Sequence, residues 1–160
     1  MRVALARYRG LGPQTDTLVA MYRITFESDA FNGVQDADES LEYLAAALDM
    51  LIAWDTIYLL RHPNAPLLYQ SGVRYEEEPI GAEFWRDIPT VLKYGSADCE
   101  DLSAWLIAEK RVRFGVPARP LIIPQLRPNG KYPYHIAVAS PDARNGVLDP
   151  SKDLGMVASA

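Results

Sequence analysis

Tyr94-Gly95-Ser96-Ala97-Asp98-Cys99-Glu100-Asp101-Leu102 holds the only cysteine of the chain, and its reading decides how the rest is organised. Gly95 to Asp98 is a turn-forming lead-in. Leu102, Trp105, Leu106, Glu109 and Lys110 continue as an amphipathic run. A turn that delivers a cysteine to the start of a helix suits a thiol nucleophile. First-turn N–H groups point outward there, and the helix dipole favours a thiolate. The same residue also reads as a small buried hydrophobe, the commoner fate of a single cysteine. The choice depends on what else the chain supplies.

The chain has 160 residues, enough for one domain with a real core. Its 49% hydrophobic and 23% charged residues are ordinary for a soluble globular protein. A net charge of −5 argues against a nucleic-acid partner, which would want a basic face. One cysteine excludes an intrachain disulfide and suits a reducing compartment. Met1-Arg2-Val3-Ala4-Leu5-Ala6-Arg7 places arginines on both sides of a very short apolar run, unlike a signal peptide. The longest apolar stretch, Leu44 to Leu60, is interrupted by Asp49 and Asp55 and reads as a buried helix rather than a membrane span.

Working upstream from the cysteine, Asp87 reads as the N-cap of a short helical turn through Lys93. Glu76-Glu77-Glu78-Pro79 reads as a solvated acidic turn. Residues 67–75 are partly extended and broken by Gly72. The clearest helix runs from about Asp38 to Arg61, with Asp36 or Asp38 as cap and Arg61-His62-Pro63 as its stop. Asp29 to Asp38 reads as a loop. Leu18, Met21, Tyr22 and Phe26 suggest a helix over residues 14–27, and residues 1–12 a short strand or arm. Downstream, the cysteine helix spans about Asp98 to Arg113 and closes on Gly115. Strands follow at Leu121-Ile122-Ile123 and at Tyr134 to Ala139, joined by a turn at Pro128-Asn129-Gly130-Lys131. A turn at residues 142–146 leads to a third short strand, Val147-Leu148-Asp149-Pro150. Helices followed by an antiparallel meander make the class α+β.

Thiol acyl transfer needs an imidazole to take and return a proton, and a carboxylate or amide to hold that imidazole in the right tautomer. Only two histidines are present. His62 ends a long helix and suits capping of its carbonyls. His135 lies in an alternating strand, where it reads either as a half-buried strand residue with a local partner or as a general base. Asp149 ends the neighbouring strand, so antiparallel pairing can bring it beside His135. As Asp149-Pro150 it also reads as a turn opener. Tyr69, Gln70, Trp85 and Tyr94 can each donate to an oxyanion alongside the Cys99 N–H, with Tyr69 and Gln70 favoured. Trp105 reads as core, and Arg119 as a strand-edge charge or an ion pair. Asp98, Glu100 and Asp101 crowd the thiol with negative charge. If they cap the helix or face solvent, a protonated His135 outweighs them, and Cys99 and His135 form an ion pair.

Tyr94 to Leu102, Phe114-Gly115-Val116-Pro117-Ala118-Arg119, Tyr134-His135-Ile136-Ala137-Val138 and Leu148-Asp149-Pro150-Ser151 together resemble the transglutaminase-like cysteine protease superfamily, most of all its short phage- and prophage-encoded members. The resemblance covers roughly residues 67–156 and fades in residues 1–36. It implies Cys99 as nucleophile, His135 as general base and acid, and Asp149 as the residue orienting the imidazole. It implies a papain-like core in which the nucleophile helix packs on an antiparallel sheet. Ala97 departs from the glycine often found there. The organisation expected is a single domain over 1–160, with an N-terminal helical extension at 1–66 and a catalytic-type core at 67–156.

The expected function is thiol-dependent acyl transfer through a Cys99 thioester, hydrolytic rather than cross-linking. A protein or peptide, such as a phage structural protein or a peptidoglycan stem peptide, is the substrate. The alternative is a non-catalytic module of a phage particle or tail, with residues 1–66 docking a partner. The expected location is the cytoplasm of a bacterial host, or a virion. One cysteine and two histidines offer no spacing that closes a tetrahedral metal site, so neither metal nor cofactor is expected.

Overall fold

The computed structural model describes residues 2–7, 20–25, 37–78, 84–124 and 134–157. Its contacts divide the chain into two compact units, Met1–Ser40 and Leu41–Ala160. In the first, β1 (Arg2–Arg7) pairs antiparallel with β2 (Ala20–Thr25), Val3 opposite Ile24 and Leu5 opposite Tyr22. The helix expected over 14–27 is therefore not formed where the segment is described. Tyr22, Ile24 and Thr25 favour a pleated surface, and pairing with β1 outweighs a loose helical spacing. The loop expected over Asp29 to Asp38 lies outside the described residues except at its end, where Ala37 and Asp38 are already helical.

α1 (Ala37–Arg61) follows the expected bounds closely. Leu48, Leu51, Ile52 and Leu59 are buried on one face, while Trp54, Ile57 and Leu60 are exposed. By length and composition alone, Leu41–Arg61 is long and apolar enough to cross a membrane, and 28% of its apolar window is buried. The burial expected of the whole stretch is thus confined to one face. Asp55 sits on that face, fully buried, because its Oδ1 accepts the Ile88 N–H at 2.9 Å.

A single 3-10 turn (Leu68–Gln70) leads to β3 (Arg74–Tyr75). α2 (Ile88–Tyr94) starts where expected, with the Thr90 N–H donating to Asp87 Oδ1 at 3.2 Å. Gly95 ends α2 at φ 75°, a left-handed conformation that costs glycine nothing, and so turns the chain into β4 (Ser96–Ala97). β3 and β4 pair in parallel, Tyr75 opposite Ala97.

α3 (Cys99–Phe114) contains no proline or glycine, carries Glu100 and Asp101 in its first turn and Arg111 and Arg113 in its last, and is ended by Gly115. Those charges match the helix dipole. Every residue from Glu100 to Glu109 is buried, so the helix is enclosed on all sides rather than amphipathic. Trp105, as expected, is fully buried in the core, with Leu51, Ile52, Val91, Leu102 and Val138 in the same cluster.

β5 (Arg119–Pro124), β6 (Tyr134–Ala139) and β7 (Val147–Leu148) form an antiparallel sheet in that order. β5 starts two residues earlier than the sequence suggests. As an edge strand it tolerates Pro120 and Pro124, which cannot donate to a ladder. The central strand β6 buries His135, Ile136, Ala137 and Val138 and packs against α3. The turn expected at residues 128–131 lies outside the described residues. The third strand, expected to run to Pro150, ends at Leu148, because Asp149 caps and Pro150 starts a short helix, α4 (Pro150–Asp153). Its cap is Asp149, whose Oδ1 accepts the Lys152 N–H at 3.2 Å, and Pro150 occupies the first helical position. The architecture is α+β.

Candidate active site around Cys99

Cys99 stands at the first position of α3, delivered by β4. Its Sγ donates to Glu100 Oε2 at 3.3 Å and accepts the backbone N–H of Ile136. Burial pushes the thiol well up, and the Glu100 carboxylate and then Asp98 push it further. The Ile136 N–H works the other way and does not compensate. The sequence reading has the neighbouring carboxylates capping the helix or facing solvent, and the structure corrects it. Asp98 makes no side-chain cap bond and is 6% exposed. Asp101 is fully buried, its Oδ1 accepting the Arg86 N–H at 2.7 Å. The cause is the enclosure of α3: its first turn faces protein, not water. The thiol is held neutral in this conformation, whereas a thiolate–imidazolium pair was expected.

Glu100→Gln removes the nearest charge from the sulfur. In chelator at pH 7.5, iodoacetamide should alkylate Cys99 at least about tenfold faster in that variant, a tenfold rise in thiolate being one pK unit. An unchanged rate would show that Glu100 does not govern the thiol.

His135 and Asp149 are in direct contact. His135 Nε2 lies 2.9 Å from Asp149 Oδ2, and Lys152 Nζ reaches the same oxygen at 2.8 Å. Burial works against ionisation of Asp149. The bonds from Lys152 and His135 outweigh it and hold the carboxyl below its ordinary value. An ionised Asp149 can only accept, so Nε2 carries the proton and Nδ1 is left as the basic nitrogen. The bond tying Cys99 to β6 is made to Ile136, the residue next to His135. Ser103 Oγ donates to the Ile136 carbonyl at 3.0 Å and pins α3 to the strand at the same point. His135 and Asp149 thus meet directly, and Cys99 reaches the residue next to His135 on β6.

No family model, curated protein or solved structure matches this chain.

The expected oxyanion donors fare less well. Tyr69 OH donates to Asp153 Oδ2 at 2.9 Å and so is committed to α4. Gln70 and Tyr94 are exposed, and Trp85 packs against the core. Tyr75 was missed. Burial first, and then the acidic groups near it, Glu77, Asp98 and Glu100 among them, push its phenol up to about 12. The hydroxyl therefore stays protonated and able to donate. Its signal in the sequence was weak: one tyrosine among nine, placed only once β3 is known to pair with β4 two residues before Cys99. Arg119 is exposed at the start of the edge strand. His62 Nδ1 bonds the Tyr58 carbonyl at 2.9 Å and its ring stacks on Tyr58, the helix-end role expected of it.

Glu78 also departs from expectation. Glu76 and Glu77 are exposed, but the Glu78 side chain is only 7% exposed. Its Oε2 accepts the Phe84 N–H at 2.6 Å, and its Oε1 lies 2.8 Å from Arg86 Nη2, an ion pair by distance without hydrogen-bond alignment. Glu78, Asp98 and Glu100 each bring one ligand oxygen within 4.8 Å of the others. Carboxylates alone form this cluster, which a search for cysteine and histidine spacing does not find.

Proposed function

We propose that this chain performs thiol-dependent acyl transfer on a protein or peptide, with Cys99, His135 and Asp149 as a triad on a papain-like core of the transglutaminase-like kind. Amide hydrolysis is the favoured outcome, and a phage setting follows from the same resemblance. The observation that carries the reading is the 2.9 Å His135–Asp149 pair, set on the strand whose next N–H binds the sulfur.

The steps use these groups alone. His135 Nδ1 takes the thiol proton as Sγ bonds to the substrate carbonyl carbon. The carbonyl oxygen becomes an oxyanion, with the Cys99 N–H and the Tyr75 hydroxyl as candidate donors. The C–N bond then breaks, and the amine leaves with the proton from His135. Water gives its proton to His135 and attacks the thioester, releasing the acid and restoring the thiol.

Intact-mass analysis after incubation with a panel of peptidyl vinyl sulfones, to whose double bond a thiolate adds, tests this. One adduct on Cys99, absent in Cys99→Ala and strongly reduced in His135→Ala, is expected. The neutral buried thiol favours a second reading, a non-catalytic assembly module of a phage particle or tail. Labelling of Cys99 no faster than of free cysteine by every probe would select that reading instead.

A further inference from the structure

The acidic cluster beside Cys99 supplies no group to the acyl-transfer steps, though Glu100 touches the thiol, and it holds more buried carboxylates than cations. Asp98 and Glu100 are each 6% exposed and Asp101 is fully buried. Asp98 Oδ1, Glu100 Oε1 and Asp101 Oδ2 have no hydrogen-bond partner among the described residues. Buried carboxylate oxygens without donors are costly and call for a counter-charge. Arg86 supplies one guanidinium, and it is engaged with Glu78. A cavity of about 170 Å³ lined by Glu76, Glu77, Glu78, Arg86, Tyr94 and Ser96 meets the cluster at Glu78.

We propose that Glu78, Asp98 and Glu100, backed by Asp101, bind one divalent cation of the calcium kind. Ligand oxygens within 4.8 Å of one another suit an ion that holds each at about 2.3–2.6 Å. All donors are hard carboxylate oxygens, which exclude the soft-ligand metals. The oxygens are buried and carboxylate-rich, leaving little room for the several waters that magnesium keeps, so calcium is favoured over magnesium. The adjoining cavity supplies the one or two waters that complete a calcium shell.

Full-length protein stripped with EDTA is titrated with calcium alone and magnesium alone, by calorimetry and by thermal melting. Calcium should bind with a stoichiometry of one. At a hundredfold excess over its Kd it should raise the melting temperature by about 5 °C or more, and magnesium by less than half of that. Asp98→Asn and Glu78→Gln should each weaken calcium binding by about tenfold or more, as expected for loss of a ligand charge. Circular dichroism shows whether they fold, and terbium luminescence gives a second reading of occupancy. Cys99→Ala should bind calcium like the unaltered chain, so the site stands or falls separately from the acyl-transfer reading. Absence of both heat and melting shift up to about 10 mM calcium, the weak end of natural calcium sites or beyond, overturns the proposal. So does undiminished binding in both ligand variants.

Discussion

By the proposed acyl-transfer steps, Asp149→Asn should lower amide hydrolysis by about 10⁴-fold while leaving the fold in place. The residue holds two posts at once. Its Oδ1 caps α4 by accepting the Lys152 N–H, and its Oδ2 meets His135 Nε2 and Lys152 Nζ. Asparagine keeps the first post, because its amide oxygen caps a helix as well as a carboxylate does. It fails at the second. Turned so that its oxygen caps α4, its NH₂ faces Nε2 and donates. Nε2 must then accept, which moves the ring proton to Nδ1, the nitrogen that has to receive the thiol proton. The imidazolium formed during attack also loses the negative charge that stabilises it. The lost ion pair to Lys152 counts for little, since that side chain is 61% exposed. Hydrolysis assays on a substrate that acylates Cys99, read beside melting temperature, check this. Unchanged turnover with unchanged melting would reduce Asp149 to a helix cap.

Asp149 also shows where sequence reading succeeds and where it stops. The order cysteine, histidine, aspartate on helix, strand and next strand end was legible, because periodicity places residues on elements and antiparallel pairing brings neighbouring strands together. Asp87, Gly95 and Gly115 were legible for the same local reason: caps and left-handed turns are written in single residues. What was not legible depends on burial from all sides. Glu78, Glu100 and Asp101 read as solvent-facing or capping because charged residues usually are, and nothing local says that α3 is enclosed. The same enclosure turned an expected thiolate into a neutral thiol and hid Tyr75, whose relation to Cys99 exists only through β3–β4 pairing. The strand β2 was lost to a helical spacing because its partner, β1, lies more than a dozen residues away.

In chelator, the melting temperature should fall as pH rises from 5 to 8, opposite to the acid instability usual for proteins whose carboxylates are paired. Asp55 and Glu109 lie outside the cation cluster and set the direction. Both are buried, and each accepts one backbone N–H, from Ile88 and Leu68 respectively. For each, burial raises the carboxyl above its ordinary value, and the single N–H does not bring it back. Asp98, Asp101 and Glu78 move the same way, again with burial as the first cause. A raised folded-state value means the folded chain holds protons that the unfolded chain releases above about pH 4. Stability is therefore full below that point and drains away through the window up to the raised values. Asp149 runs the other way, its lowered value contributing stability that is lost only on acidification. The exposed Asp142 is lowered as well, so two lowered carboxyls stand against five raised ones. Each pK unit is about 1.4 kcal/mol, and a domain of this size has only about 5–15 kcal/mol in total, so modest displacements at several sites are enough to tilt the curve. Asp55→Asn and Glu109→Gln keep the oxygen that accepts the backbone N–H and remove the proton that titrates, so each should flatten the slope. A melting temperature that climbs from pH 5 to 8 in the unaltered chain would mean that these carboxylates ionise in the folded protein without penalty. The enclosure of α3 would then not be what holds them, or the Cys99 thiol, neutral.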